Sequence, residues 1–157
     1  MATEPTPFYN KLNDFVGANE AYMWLMWFDE LTPAEQALIG IWELQQEVIN
    51  GGFFQYMHNS SGEHEPAMRE ILKEIGAQRA FAILERAVEL IGADVRQGDY
   101  FTKLNALPDK SRDEFCALDI EFYHQLENLA YLLFRYLSKH RDQLDAPDEF
   151  WKEVAIQ

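Results

Sequence analysis

Apolar residues recur along most of the chain at spacings of three and four, which places them on one face of a helix. No stretch alternates apolar and polar residues for long enough to predict a strand. The pattern predicts helices over residues 8–16, 19–28, 33–50, 65–75, 78–91 and 112–143. We expect a break in the last of these near Asp119 and a short further helix after Pro147.

Several of the predicted helix ends carry local signals. Thr32, Pro33 and Glu35 have the order of a capping box, in which the threonine and the glutamate bond each other's backbone N–H groups. Glycine favours a helix end because it adopts left-handed backbone geometry at little cost. Such ends are predicted at Gly51-Gly52, Gly76 and Gly92, with a short aromatic segment over residues 53–59 after the first.

Composition favours a folded chain with one core. The chain has 157 residues, of which 48% are hydrophobic and 14% aromatic. Together with the helical pattern, this composition predicts an all-α fold, a single compact multi-helix domain over residues 1–157. A single cysteine, Cys116, excludes an internal disulfide and a multi-cysteine zinc site. Its apolar surroundings, residues 115–118, predict a buried thiol.

The net charge of -14 limits the classes of partner. Residues 1–68 carry ten acids against one base, Lys11, so most of the excess lies in the first half. Phosphate backbones and anionic membranes would repel such a chain, and we expect it to bind neither nucleic acid nor membrane. The start of the chain lacks a basic, apolar leader, and the longest apolar run, residues 21–28, is too short to span a bilayer. A cytoplasmic location is expected.

No side-chain constellation predicts catalysis. His58 and His64 flank a Ser-Ser-Gly turn beside Glu63 and Glu65, but their spacing matches no helical ligand pair. The sequence has no nucleophile elbow, phosphate loop or dinucleotide fingerprint. We therefore expect no catalytic residue, metal or cofactor, and no enzymatic activity.

Pairs of acids at helical spacing are a second possible source of function. Glu43 and Glu47 lie four residues apart, about 6 Å along a helix axis, with no base nearby in the sequence. DNA carries a phosphate every 3.4 Å or so on each strand, so a surface of such carboxylates could resemble it. On these residues alone, a solvated helix face is the favoured interpretation.

One segment indicates a protein family more specifically than any of these patterns does. Residues 50–62 read N-G-G-F-F-Q-Y-M-H-N-S-S-G and resemble the N-G-G-F-x-Q-Y-x-x-N-S-x-G signature of a family of small helical bacterial proteins that includes the neisserial DNA mimic protein. Weaker similarity lies in I-G-A at 75–77 and in the L-D…F-Y…L…H pattern that begins at Leu118 and ends at His140. The resemblance covers about residues 35–141.

The signature residues are predicted to be mainly structural. They are Asn50, Gly51, Gly52, Phe53, Gln55, Tyr56, Asn59 and Gly62. Two glycines would turn the chain so that Phe53 and Tyr56 enter the core, while Gln55 and Asn59 would bond free backbone groups of the loop.

The resemblance implies an all-helical fold and, by analogy with the DNA-mimic member, binding to a basic DNA-binding protein or transcription factor in place of DNA. Candidate partner-binding acids come from the acid-rich first half of the chain. They are Asp29, Glu30, Glu35, Glu43, Glu47, Glu63 and Glu65.

Two other functions remain open from the sequence. The 53–64 loop, with Tyr56, His58, Asn59 and His64, could form a small ligand-binding or hydrolytic site. Alternatively, Trp24, Met26 and Trp27 could support a protein scaffold whose interactions are insensitive to salt. The apolar run at 21–28 also makes a homodimer plausible.

Overall fold

The computed structural model describes residues 6–24, 27–59, 64–92 and 105–153, with the backbone alone over 20–24. These residues form α1 (Pro7–Trp24), α2 (Pro33–His58), α3 (Glu65–Glu74), α4 (Gln78–Ile91), α5 (Asp109–Tyr123) and α6 (Leu126–Lys139). Short 3-10 helices lie at Phe28–Glu30, Arg141–Gln143 and Asp148–Trp151. The part of the chain described contains no strand, and the all-α prediction is confirmed.

The residues group into two compact units. The first, unit 1, comprises Met1–Trp42 and Leu126–Gln157, and the second, unit 2, comprises Glu43–Gln125. The prediction of one domain over residues 1–157 stays a prediction. Within the described residues, no helix is both long and apolar enough to cross a membrane.

Unit 1 is built on the packing of α1 against α6. The Phe8 ring lies 5.1 Å from the ring of Tyr131, and Phe15 lies 4.4 Å from Phe150. The Glu127 carboxylate accepts the backbone N–H groups of Phe8 and Tyr9 at 2.9 and 3.0 Å. A carboxylate at this position bonds donors that a helix start leaves free and complements the helix dipole.

The predicted separation of helices 8–16 and 19–28 is wrong, because α1 is continuous to Trp24. Asn19 does not cap a helix start. Its side-chain amide donates to the Phe15 carbonyl at 2.8 Å, four residues back within the same helix. The chain passes from α1 to α2 through the 3-10 helix Phe28–Glu30.

The predicted capping box at the start of α2 is confirmed. The Thr32 N–H donates to the Glu35 carboxylate at 2.8 Å, and the Glu35 N–H donates to the Thr32 hydroxyl oxygen at 3.2 Å. The Thr32 hydroxyl in turn donates to the Gln143 carbonyl at 2.7 Å. The capping residue therefore also joins the start of α2 to the segment after α6.

Unit 2 packs α3 on α4 and α4 on α5. The predicted limits of α4 are confirmed, and the backbone has positive φ at Gly76 (81°) and Gly92 (109°), where helix ends were predicted. The predicted break near Asp119 is wrong, since α5 continues to Tyr123 and the break lies at His124 and Gln125. Leu72, Leu84 and Phe122 are fully buried.

The prediction of a buried Cys116 is also wrong, because its thiol is exposed. Residues 115–118 are helical, so their side chains point in different directions around α5. Phe115 and Leu118, three residues apart, face the core, and Cys116 and Ala117 face solvent.

Candidate protein-binding surface and signature segment

The signature begins with a sharp turn inside α2. Gly52 has φ 75° and ψ -177°, a backbone conformation open almost only to glycine. The helical backbone is interrupted at Gly52, which confirms the predicted helix end, and a second helical segment follows at once and continues to His58. Beyond the kink, the Phe53 N–H donates to the Asp119 carboxylate on α5 at 2.8 Å. Asp119 therefore bonds the first N–H of the resumed helix.

The space around residue 52 also admits only glycine. A Cβ at this position would lie against the Asp119 carboxylate, 2.8 Å from its carboxyl carbon. Asp119 belongs to the second, weaker family motif, the L-D…F-Y pattern of α5. The two motifs therefore form one structural contact, in which the absence of a side chain at Gly52 lets Asp119 reach the Phe53 backbone.

The apolar signature residues lie in the core of unit 2, as predicted. Phe53 is fully buried, and Tyr56 and Met57 are each 1% exposed. Because Tyr56 is buried, it does not line an exposed reaction site of the kind considered for the 53–64 loop. His58 is exposed and stacks on Phe54 with ring centres 6.4 Å apart.

Gln55 and Asn59 take a role different from the one predicted. Their side-chain amides donate to one oxygen of Glu47, at 2.7 and 2.8 Å, where bonds to loop backbone were expected. Glu47, a predicted partner-binding acid, is thus held by two signature amides and is half-buried. Asn50 and Gly51 are exposed on α2, and Gly62 lies outside the described residues.

Two further candidate acids are internal. Glu65 is fully buried and pairs with Arg69 one helical turn later. The side chain of Glu43 is 13% exposed and lies 3.7 Å from the His64 ring nitrogen Nδ1. Glu65 is therefore not a surface residue, and Glu43 offers little of its carboxylate to a partner. Glu63 lies outside the described residues.

Burial changes the acidity of the internal carboxyls of unit 2. Loss of solvent raises the pKa of Glu65, against the opposing effect of Arg69. It raises the pKa of Glu43 against the effect of His64, and the pKa of Asp119 against the Phe53 hydrogen bond. These three groups favour protonation in the folded chain more than they would when solvated.

This predicts a pH dependence of folding. A carboxyl with a raised folded-state pKa binds its proton more readily when folded, so the free energy of unfolding falls as pH rises through that pKa. We expect stability to increase as the pH is lowered from 7 towards 4.5, the ordinary glutamate value. Urea unfolding across this range measures the slope. Glu65→Gln should flatten it, whereas Glu70→Gln, at an exposed site, should leave it unchanged.

The exposed candidates lie in unit 1. Asp29 and Glu30 are exposed on the 3-10 helix before α2, while Glu35 is half-buried and bonded to Thr32. This region is joined to the segment after α6 by two bonds to Gln143. The Thr32 hydroxyl donates to its carbonyl, and the Ala34 N–H donates to its side-chain oxygen at 3.1 Å.

The segment joined in this way is itself rich in exposed acids. They are Asp142, Asp145, Asp148, Glu149 and Glu153. The Gln143 bonds bring the segment that carries Asp29 and Glu30 beside the start of this second segment, from which the sequence separates it widely. We call Asp29, Glu30, Asp142, Asp145, Asp148 and Glu149 the acidic surface of unit 1.

Exposed acids of unit 2 are more often balanced by nearby bases. Lys73 lies 3.3 Å from Glu70, and Arg86 lies 3.3 Å from Glu89 and 2.9 Å from Glu114. Within the acidic surface of unit 1, a comparable pair joins Lys152 to Glu149 at 2.6 Å. That pairing lowers the pKa of Glu149, chiefly through the hydrogen bond from Lys152.

Residues 29–140 match the family described as DMP19-like protein. The chain belongs to the DMP19-like family. This is the family that the signature predicted, and the matched range is close to the expected 35–141. No curated protein and no solved structure matches the chain.

The range matched by the DMP19-like family contains some of the features described above and leaves out others. It includes the signature, Asp119 and the two acids Asp29 and Glu30. The acids from Asp142 to Glu153 lie beyond it. The sequence alone does not connect these acids with Asp29 and Glu30, because the two segments meet through the Gln143 bonds of the folded chain.

Metal ligation finds no geometric support among the described residues of this DMP19-like chain. No three histidine, cysteine or acidic side chains in that part of the chain gather closely enough to hold an ion. Of the proposed scaffold residues, Trp27 is 79% exposed. Met26 and the side chain of Trp24 lie outside the described residues, and the homodimer stays a prediction.

Proposed function

We propose that this chain acts as a DNA-mimic-type protein that binds a basic DNA-binding protein in place of DNA. The acidic surface of unit 1 is the proposed contact. Membership of the DMP19-like family supports this class of function, and that family is not a known enzyme family.

The observation that carries the proposal is the meeting of two exposed acidic segments. Asp29 and Glu30 come before α2, and Asp142 begins the acids after α6. The Gln143 bonds hold the two segments together, so their carboxylates share one region of unit 1. Several carboxylates fixed in one region attract a surface that has evolved to neutralise phosphates.

Of the seven candidate acids from the sequence, four described ones do not belong to the proposed contact, and a fifth, Glu63, lies outside the described residues. Glu65 and Glu43 are internal, Glu47 is bonded by signature amides, and Glu35 completes the capping box. Replacing any of these would disturb folding as well as charge. The acids of unit 1 allow a cleaner test because they are exposed.

Competition with DNA tests the proposal. The chain, immobilised at low salt, is exposed to a lysate of the organism that encodes it, and the retained proteins are identified. We expect a retained DNA-binding protein that is released by duplex DNA and by raised salt, because both compete for charge pairing. Added chain should also displace that protein from its own DNA in a mobility-shift assay.

Uncharged dextran is the matched competitor and should release nothing. Retained proteins that resist both duplex DNA and salt would overturn the proposal and would favour the salt-insensitive scaffold. A retained protein that binds its DNA and this chain simultaneously would also overturn it.

A further inference from the structure

Unit 1 contains a groove whose charge is opposite to that of the chain as a whole. This groove has a volume of about 430 Å³ and lies beside the end of α6.

 A separate groove of about 690 Å³ lies in unit 2, where Arg86 is already paired with two glutamates. The smaller groove, in unit 1, is lined by three cations and several aromatic rings. Its cations are Arg135, Lys139 and Arg141, and its rings are those of Phe8, Tyr131, Phe134 and Trp151.

The three cations are available for a ligand. Arg135, Lys139 and Arg141 are all exposed. Among the described residues, none of them lies within 4.0 Å of a carboxylate, although the chain carries 27 acids against 13 bases. One acid, Glu153, lines the groove beside them. Three cations against one carboxylate make the groove locally positive, and a concave shape strengthens that field.

The rings hold the guanidinium groups in place. Arg141 lies over the Trp151 ring at 5.0 Å, and Arg135 lies over the Tyr131 ring at 5.8 Å. A guanidinium stacked on a ring keeps its N–H edge free to bond a phosphate or carboxylate with two parallel hydrogen bonds. Phe8 supports this arrangement, because its ring packs edge-on against Tyr131.

We propose that this groove binds a small anion that carries a planar aromatic ring, of the nucleoside monophosphate class. The cations would take the phosphate, and an exposed ring face would stack on the base. The volume of about 430 Å³ falls within the range of small-molecule sites. The proposal is independent of the DNA-mimic function.

A longer nucleic acid does not fit the same surface. Exposed acids flank the cations along the chain, with Asp142 directly after Arg141 and Asp148 and Glu149 before Trp151. One phosphate can sit among the three cations, but neighbouring phosphates of a polymer would meet these carboxylates. The charge pattern therefore favours a mononucleotide over a strand.

Isothermal titration of the full chain with adenosine monophosphate tests the proposal. We expect saturable binding that weakens as salt is raised. Arg141→Gln should weaken it about tenfold, the usual order for loss of one charge-assisted contact. Glu153→Gln should instead tighten it, because it removes the one repelling charge from the groove. Arg79→Gln, at an exposed arginine in unit 2, is the control and should leave the affinity unchanged.

Adenosine and inorganic phosphate test the ring contact and the cation contacts one at a time. Each should bind at least tenfold more weakly than adenosine monophosphate, since each makes half of the contacts. Equal binding of inorganic phosphate would overturn the role of the rings. No saturable binding of the nucleotide, or equal losses in Arg141→Gln and Arg79→Gln, would overturn the proposal itself. Circular dichroism confirms that each variant is folded.

Discussion

Gly52→Ala is expected to lower the free energy of unfolding by about 2–6 kcal/mol. An alanine forced into the backbone conformation of Gly52 costs about 1–3 kcal/mol. Its Cβ would also lie against the Asp119 carboxylate, which must then move away from the Phe53 N–H. Loss of that hydrogen bond within a partly buried site costs about 1–3 kcal/mol more.

Gly17→Ala is the matched control for this prediction. Gly17 lies within α1, and a Cβ there would meet no atom within 4 Å. Alanine is favoured over glycine inside a helix, so this variant should be more stable by about 0.5–1 kcal/mol. Urea unfolding followed by circular dichroism measures both changes. A Gly52→Ala chain as stable as the unchanged one would contradict the proposed constraint.

Asp119→Ala distinguishes the two components of the Gly52 effect. This variant leaves the Phe53 N–H without its acceptor but gives a side chain at position 52 more room. If the contact is as described, Gly52→Ala should cost less in the Asp119→Ala background than in the unchanged chain. Additive losses would show that backbone geometry alone requires the glycine.

The parts of the fold that could be predicted depend on local signals. The capping box at Thr32 and the limits of α4 follow from residues close together in the sequence. The helical segment that follows Gly52 could not be recognised, because the carboxylate that accepts its first N–H lies 66 residues further along the chain. A glycine pair alone predicts the helix end, whereas the contact between Phe53 and Asp119 at the start of the next helical segment is tertiary.

The candidate acids show the same limit of prediction from local sequence. Glu43 and Glu47 lack bases near them in the sequence, which favoured an exposed acidic array. In the fold, His64 lies beside Glu43, and the amides of Gln55 and Asn59 bond Glu47. Charge counted along a chain does not reveal neutral amide partners or a histidine brought close by folding. The exposed acids that do gather come from segments more than one hundred residues apart, joined through Gln143.

Neutralising the acidic surface of unit 1 is expected to weaken binding of the DNA-binding partner by about two orders of magnitude. The variant combines Asp29→Asn, Glu30→Gln, Asp142→Asn and Asp145→Asn, all at exposed positions. An exposed charge pair contributes up to about 1 kcal/mol, so four lost pairs approach 3 kcal/mol, or roughly a hundredfold in affinity. The dependence of affinity on salt should fall as well, because fewer charges take part in the contact.

A second fourfold variant separates position from net charge. Glu70→Gln, Glu74→Gln, Glu85→Gln and Glu89→Gln remove the same number of exposed carboxylates from unit 2. If the partner contacts the acidic surface of unit 1, this control should keep its affinity within about threefold, since exposed charges outside the contact are largely screened by salt. Affinity is measured by surface plasmon resonance against the protein recovered in the DNA-competition experiment. Equal losses in both variants would show that the partner responds to total charge, and the acidic surface of unit 1 would then not be a specific contact.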